Sequence, residues 1–176
     1  MSSLAQNIAN AFTANTMTQY IGCFIISMIP LIELRGAIPI AHWFNSMNPD
    51  NFNLVLGYVI IAVGNMLPVP IIFFFARKVL EWGKDKRFIG GFFTFCLTKG
   101  HKGGEKLQAK AGRGLFVALL LFVGIPLPGT GAWTGTLAAS ILDMKFKESI
   151  TAVMLGVALA GVIMGVLSAG LFGAIF

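Results

Sequence analysis

Two charged side chains stand where charge is costly. The run Ile29-Pro-Leu-Ile-Glu-Leu-Arg-Gly-Ala-Ile-Pro-Ile40 is apolar enough to enter a bilayer, yet it carries Glu33 and, two positions on, Arg35. Ionisable groups at membrane depth are expensive and mark ion or substrate paths. A carboxylate beside water there can take up and release a proton. A guanidinium keeps its charge, and its planar fork matches phosphate or carboxylate. The pair therefore predicts proton-coupled handling of an amphipathic or anionic substrate, with Glu33 as the proton site and Arg35 as the anion-binding group. The competing reading is an ion pair that only fixes the local turn.

A second stretch offers neutral chemistry. Pro126-Leu-Pro-Gly-Thr-Gly-Ala-Trp-Thr-Gly135 combines glycine-rich backbone with three side-chain donors, Thr130, Trp133 and Thr134. Helix N-termini at such a break carry partial positive charge and favour anions, although the glycines could also serve only close packing. Asn65, in Asn65-Met-Leu-Pro-Val-Pro70, is a carboxamide inside an apolar helix, facing either a partner helix or a cavity. Pro68 and Pro70 remove two backbone donors, so they kink the helix and free carbonyls. The expected substrate- and proton-binding residues are thus Glu33, Arg35, Asn65, Thr130, Trp133 and Thr134.

The elements that must position these residues follow from composition. With 56% hydrophobic residues, 11% charged residues and a mean hydropathy of +0.81, a soluble domain is excluded. The expected fold is an all-α integral membrane protein in a single transmembrane domain. A spanning helix needs about 20 apolar residues, which residues 52–76 and 149–176 supply. The apolar stretches 17–46 and 114–142 are instead broken near their middles, by Pro30, Gly36 and Pro39 in the first and by Pro126, Pro128, Gly129 and Gly131 in the second. The flanking halves reach only partway through a ~30 Å hydrocarbon layer, so each stretch is expected to be a re-entrant hairpin. Hairpin plus spanning helix, occurring twice in opposite orientation, is an inverted repeat of the kind transporters use. The hairpin tips are expected to face one another across a small cavity.

Charge supports that topology. Residues 77–113 hold ten Lys or Arg against three acids, and Lys145 and Lys147 occupy the other charged loop, whereas 45–53 has no basic residue. If both hairpins turn back, all twelve loop cations share one side, as the positive-inside rule requires. That places the basic segment 77–113 in the cytoplasm, with the chain multi-pass in a bacterial or archaeal inner membrane. The same rule explains the pI near 9.6 without nucleic acid as a partner.

The remaining features are structural. Residues 1–16 lack a signal-peptide pattern, and Leu4, Ile8 and Phe12 suggest a short interfacial helix. Phe88–Cys96, flanked by lysines, is expected to insert in the cytoplasmic interface against anionic lipid. Cys23 and Cys96 suggest no disulfide. His42 and His101 have no ligand cluster around them, so no metal and no cofactor are expected. Nothing assembles the nucleophile or metal cluster an enzyme would need. Gly161, Gly165, Ala169 and Gly173 form a stripe suited to close helix packing. Expected partners are membrane lipids, a small amphipathic or lipid substrate, and a second copy in a homodimer that shields the hairpins.

Three blocks carry a resemblance to a known family. Pro30-Leu-Ile-Glu33-Leu-Arg35-Gly36-Ala-Ile-Pro39, then Gly64-Asn65 with Pro68 and Pro70, then Pro126-Leu-Pro128-Gly129-Thr130-Gly131-Ala-Trp133-Thr-Gly135 resemble the small multi-drug export proteins, which implies efflux of drugs. In layout the chain is also similar to DedA-type membrane proteins. Those pair two re-entrant hairpins carrying acid and arginine residues and are implicated in recycling undecaprenyl phosphate, which implies a lipid-carrier flippase or scramblase. The Phe-Gly-Arg pattern of that group is absent, so none of its residues is carried over. An organic cation calls for an unshielded acid, whereas Glu33 has an arginine two residues away. The electrostatics therefore favour the anionic substrate over the cationic drug.

Overall fold

A computed structural model describes residues 15–84 and 114–175, and every regular element among them is an α-helix. The N-terminal segment through residue 14 and residues 85–113, with the Phe88–Cys96 stretch and His101, lie outside the described residues. In chain order the helices are α1 (Thr16–Met28), α2 (Glu33–Met47), α3 (Leu54–Met66), α4 (Pro68–Lys84), α5 (Gly114–Gly124), α6 (Ala132–Ile141) and α7 (Phe146–Ile175).

Two stretches are long and apolar enough to cross a bilayer, Leu54–Ala76, formed by α3 and the start of α4, and Phe146–Leu171 of α7. Only 28% of the most apolar window of each is buried. The core helix of a soluble protein would be mostly buried, so burial as well as length separates these two from one. Val55, Val59 and Val63 form an outward row, as do Val162 and Val166. On α1 the usual soluble pattern is reversed: Met17, Ile21 and Ile25 are exposed, while Gln19, Cys23 and Ser27 are buried. Apolar residues outward at i, i+4, i+8 suit lipid as the surrounding solvent.

The described chain forms two compact units, and the division passes through the middle of both long stretches. One unit holds α1, α2, the part of α3 up to Asn65, and α7 from Ala160; the other runs from Met66 to Leu159. Each therefore contains one helix-break-helix element and one half of each long helix.

In the first unit α1 packs on α2. Asn15 caps α1 by accepting from the Met17 amide at 3.0 Å, and Asn53 caps α3 by accepting from the Leu56 amide at 3.1 Å. The base is closed by aromatics. Tyr20 stacks on Phe52 with ring centroids 4.7 Å apart, and its hydroxyl accepts from the Asn53 amide at 2.8 Å. Phe44 completes the cluster at 6.0 Å from Phe52. Tyrosine buries its ring and keeps a polar tip for backbone, which is why it recurs where a membrane protein meets water.

In the second unit glycines set the spacing. A methyl on Gly156 of α7 would come 2.7 Å from Val123 Cβ and 2.8 Å from the Leu120 carbonyl oxygen, and one on Gly135 of α6 would come 2.5 Å from Val123. Small residues let helix backbones approach where no hydrophobic driving force exists in lipid. Ser140 of α6 donates to the Phe73 carbonyl of α4 at 2.8 Å, and Phe146 packs against Phe73 and Phe74. Helix α6 ends in a Schellman arrangement: Asp143 takes the left-handed conformation (φ 54) while the Met144 amide donates to Ala139 O at 3.1 Å.

The small-residue stripe of α7 is used in part. Gly165 admits the Tyr58 hydroxyl, which a methyl would meet at 2.5 Å, whereas Gly161 faces open space.

Candidate functional site

The first break is shorter than the prolines suggest. Only 29–32 are non-helical, and Gly36 and Pro39, expected at the tip, lie inside α2. Pro39 forfeits one intrahelical donor, leaving the Arg35 carbonyl without its usual i+4 partner, but it does not end the helix. Glu33 and Arg35 thus belong to the first turn of α2, where the helix dipole favours a carboxylate.

Glu33 is buried at 3% exposure, and Arg35 is half-buried and within electrostatic reach of Glu33. The backbone around them is strained. Leu31 (φ 70) and Glu33 (φ 51) both occupy the left-handed region, at a cost of about 1–2 kcal/mol per L-residue with a side chain. The Glu33 amide donates to Ile29 O at 3.0 Å and the Gly36 amide to Ile32 O at 3.1 Å, which holds the turn closed. Strain of this kind persists where surrounding structure over-determines it and is concentrated at functional sites.

The second tip is built differently. Gly129 (φ 81) and Gly131 (φ 142) take the left-handed positions, which glycine adopts without penalty. The Thr130 hydroxyl lies 2.9 Å from both the Ile125 and Leu127 carbonyls, and its amide donates to Leu127 O at 3.2 Å. Its hydroxyl, expected as a substrate donor, is committed to closing the turn. Thr134 lies 3.5 Å from Gly131 O, a long contact that leaves its hydroxyl available. Trp133 is half-buried with its ring nitrogen shielded from solvent. Pro126 and Pro128 stay in the non-helical tip.

Asn65 lies at the end of α3 and is fully buried. Pro68 and Pro70 open α4 after a one-residue interruption at Leu67, so they do not stop the long helix. A methyl on Gly64 would run into the Ser27 hydroxyl and come 2.9 Å from the Phe24 carbonyl oxygen. Gly64, the residue before Asn65, therefore lies against the last turns of α1. Glu33, Arg35 and Asn65 fall in one unit; Thr130, Trp133 and Thr134 fall in the other.

One polar pair had no signal of its own in the sequence. His42 Nε2 is 2.8 Å from the Tyr58 hydroxyl, with the rings edge to face at 6.0 Å. His42 follows Arg35 by seven residues on α2, two turns along the same face, and that spacing was the only hint available. No group of three or more His, Cys, Asp or Glu able to hold a metal occurs among the described residues.

Comparison with known proteins agrees with the three sequence blocks. The family model described as Putative small multi-drug export protein matches residues 33–163, well over half of the chain, from Glu33 just after the first tip through the Pro68–Pro70 stretch and the second tip. No curated protein and no solved structure matches the chain. On that match, and on its two long apolar helices, the chain is a membrane protein of the small multi-drug export family, an export and transport family and not an enzyme class.

Proposed function

We propose that this protein is a proton-coupled transporter of an amphipathic or anionic substrate, with Glu33 as the proton site and Arg35 as the contact for the substrate's anionic head. The observation that carries the reading is the buried Glu33 and its neighbour Arg35 on a strained turn inside an apolar stretch. A buried carboxylate is tolerated at membrane depth when protonation or a partner neutralises it. Arg35 stays charged throughout, so a cationic substrate meets repulsion where an anionic head meets a fork of donors.

The reading includes re-entrant hairpins arranged as an inverted repeat. It is supported by the lengths of α5 and α6, 11 and 10 residues, about 15 Å each, and by the composition of the two units, each one helix-break-helix element with two half-spans.

The test is uptake into proteoliposomes of a lipid phosphate and of a quaternary ammonium drug, with and without a pH gradient. Wild type moves the lipid phosphate and responds to the gradient. Glu33→Gln abolishes the gradient response, and Arg35→Ala lowers phosphate uptake at least about tenfold, as expected when a charge-assisted bidentate contact is lost. Transport of the ammonium drug that survives Arg35→Ala but needs Glu33 would establish cationic-drug export instead. Phosphate movement indifferent to Glu33 and to pH would establish a lipid scramblase.

A further inference from the structure

Among the described residues the buried polar side chains differ in how fully they are satisfied. Ser27, Thr136, Ser140 and Ser149 each donate to a backbone carbonyl, at 2.7, 2.6, 2.8 and 3.0 Å. Asn65, at 0% exposure, has neither its Oδ1 nor its Nδ2 hydrogen-bonded among the described residues. A buried carboxamide left open at both ends carries the full desolvation cost of a donor and of an acceptor. In lipid surroundings that cost is retained only where something else meets it.

Its place says what it serves. Gly64 lies against Phe24 and Ser27 in the last turn of α1, immediately before the break that leads to Glu33 and Arg35. Pro68 removes the donor that the Gly64 carbonyl would use in an unbroken helix. The carboxamide is thus held beside a helix interruption and in the same unit as the charged turn.

We infer that Asn65 is the specificity-determining contact for the transported molecule, reading a head group that presents a hydrogen-bond donor next to an acceptor. The chemistry follows from the two open ends. Oδ1 requires a donor and Nδ2 requires an acceptor, so one group such as a monoprotonated phosphate ester, a hydroxyl or a primary amide satisfies both. A quaternary ammonium satisfies neither. Because Asn65 is closed off in this structure, the head group reaches it as the helix interruption opens during transport. The inference rests on the transport reading above but adds to it a neutral requirement, independent of the Arg35 charge. Sites built to hydrogen-bond a polar group discriminate strongly against analogues that lack it, because their own polar atoms are then left unpaired.

The experiment is thermal shift of the full chain in lipid nanodiscs with three probes of equal tail length: dodecyl phosphate, dodecanamide and dodecyltrimethylammonium. Wild type is expected to be stabilised by the first two and not by the third. Asn65→Leu, and Asn65→Ala as a second variant should leucine fail to fold, should weaken the apparent affinity for phosphate and amide about tenfold or more. If both probes stabilise the variants as well as wild type, the inference is overturned. Equal stabilisation of wild type by dodecyltrimethylammonium overturns it as well. The two readings fail separately: phosphate binding that needs Arg35 but not Asn65 keeps the anionic substrate and removes this inference, whereas amide binding that needs Asn65 in the absence of phosphate binding keeps this inference and removes the anionic substrate.

Discussion

The two tips solve the same geometric problem with different residues. Each joins two apolar helices within a few residues, and each uses left-handed backbone to do so. The second assigns those positions to Gly129 and Gly131 and closes the turn with a threonine hydroxyl, so it is relaxed and uncharged. The first assigns them to Leu31 and Glu33, accepts the strain, and carries the charges. A turn needed only for connection would use glycine, as the second one does. Strain retained beside a buried carboxylate points to a turn selected for what it holds.

That contrast can be broken from either side. The largest expected effect is on transport: Glu33→Gln or Arg35→Ala lowers uptake at least about tenfold while the protein still folds, whereas Thr134→Val lowers it by less, as measured in parallel proteoliposome assays. Next come the glycines of the second tip. Gly131, with φ 142 and ψ −174, is in a region open essentially to glycine alone, so Gly131→Ala costs about 1–3 kcal/mol, read by thermal or denaturant unfolding in a fixed detergent. Thr130→Val removes the hydroxyl closure and costs about 1 kcal/mol in the same assay. The smallest and most discriminating effect is at Leu31→Gly. Relief of about 1–2 kcal/mol of left-handed strain is largely offset by the roughly 0.5–1 kcal/mol that glycine loses in backbone entropy. Stability should therefore change by less than about 1 kcal/mol, and a clear fall in transport at unchanged stability assigns the strain to function.

Much of this was legible in the sequence, because membrane insertion writes itself in length and composition. The apolar runs marked both long helices, and Pro126 to Gly131 marked its own turn, since proline and glycine there act on adjacent residues with nothing to compensate them. The first break was read too broadly. Pro39 and Gly36 are helix breakers by propensity, yet packing of α1 on α2 supports the helix around them, and a single lost hydrogen bond does not outweigh that packing. The turn-closing contacts of Thr130 were not legible either. A hydroxyl in a glycine-rich turn satisfies nearby carbonyls before it serves a ligand, and which carbonyls fall within reach depends on backbone angles that spacing does not reveal. The His42–Tyr58 contact joins two helices, and hydrophobic periodicity reports faces, not partners across them.

The account depends most on each broken stretch turning back within the membrane. In a cysteine-free background with Cys23 and Cys96 replaced, single cysteines at Asn51 and Lys147 can be labelled with a membrane-impermeant maleimide in right-side-out and inverted vesicles. Two re-entrant hairpins put these positions on opposite faces, so Asn51→Cys should react only from the outside and Lys147→Cys only from the cytoplasmic side. Labelling of both from the same side would mean that the second broken stretch, the one that lies between these positions and follows the first span, crosses once as a kinked helix, and the inverted-repeat hairpin account would be wrong.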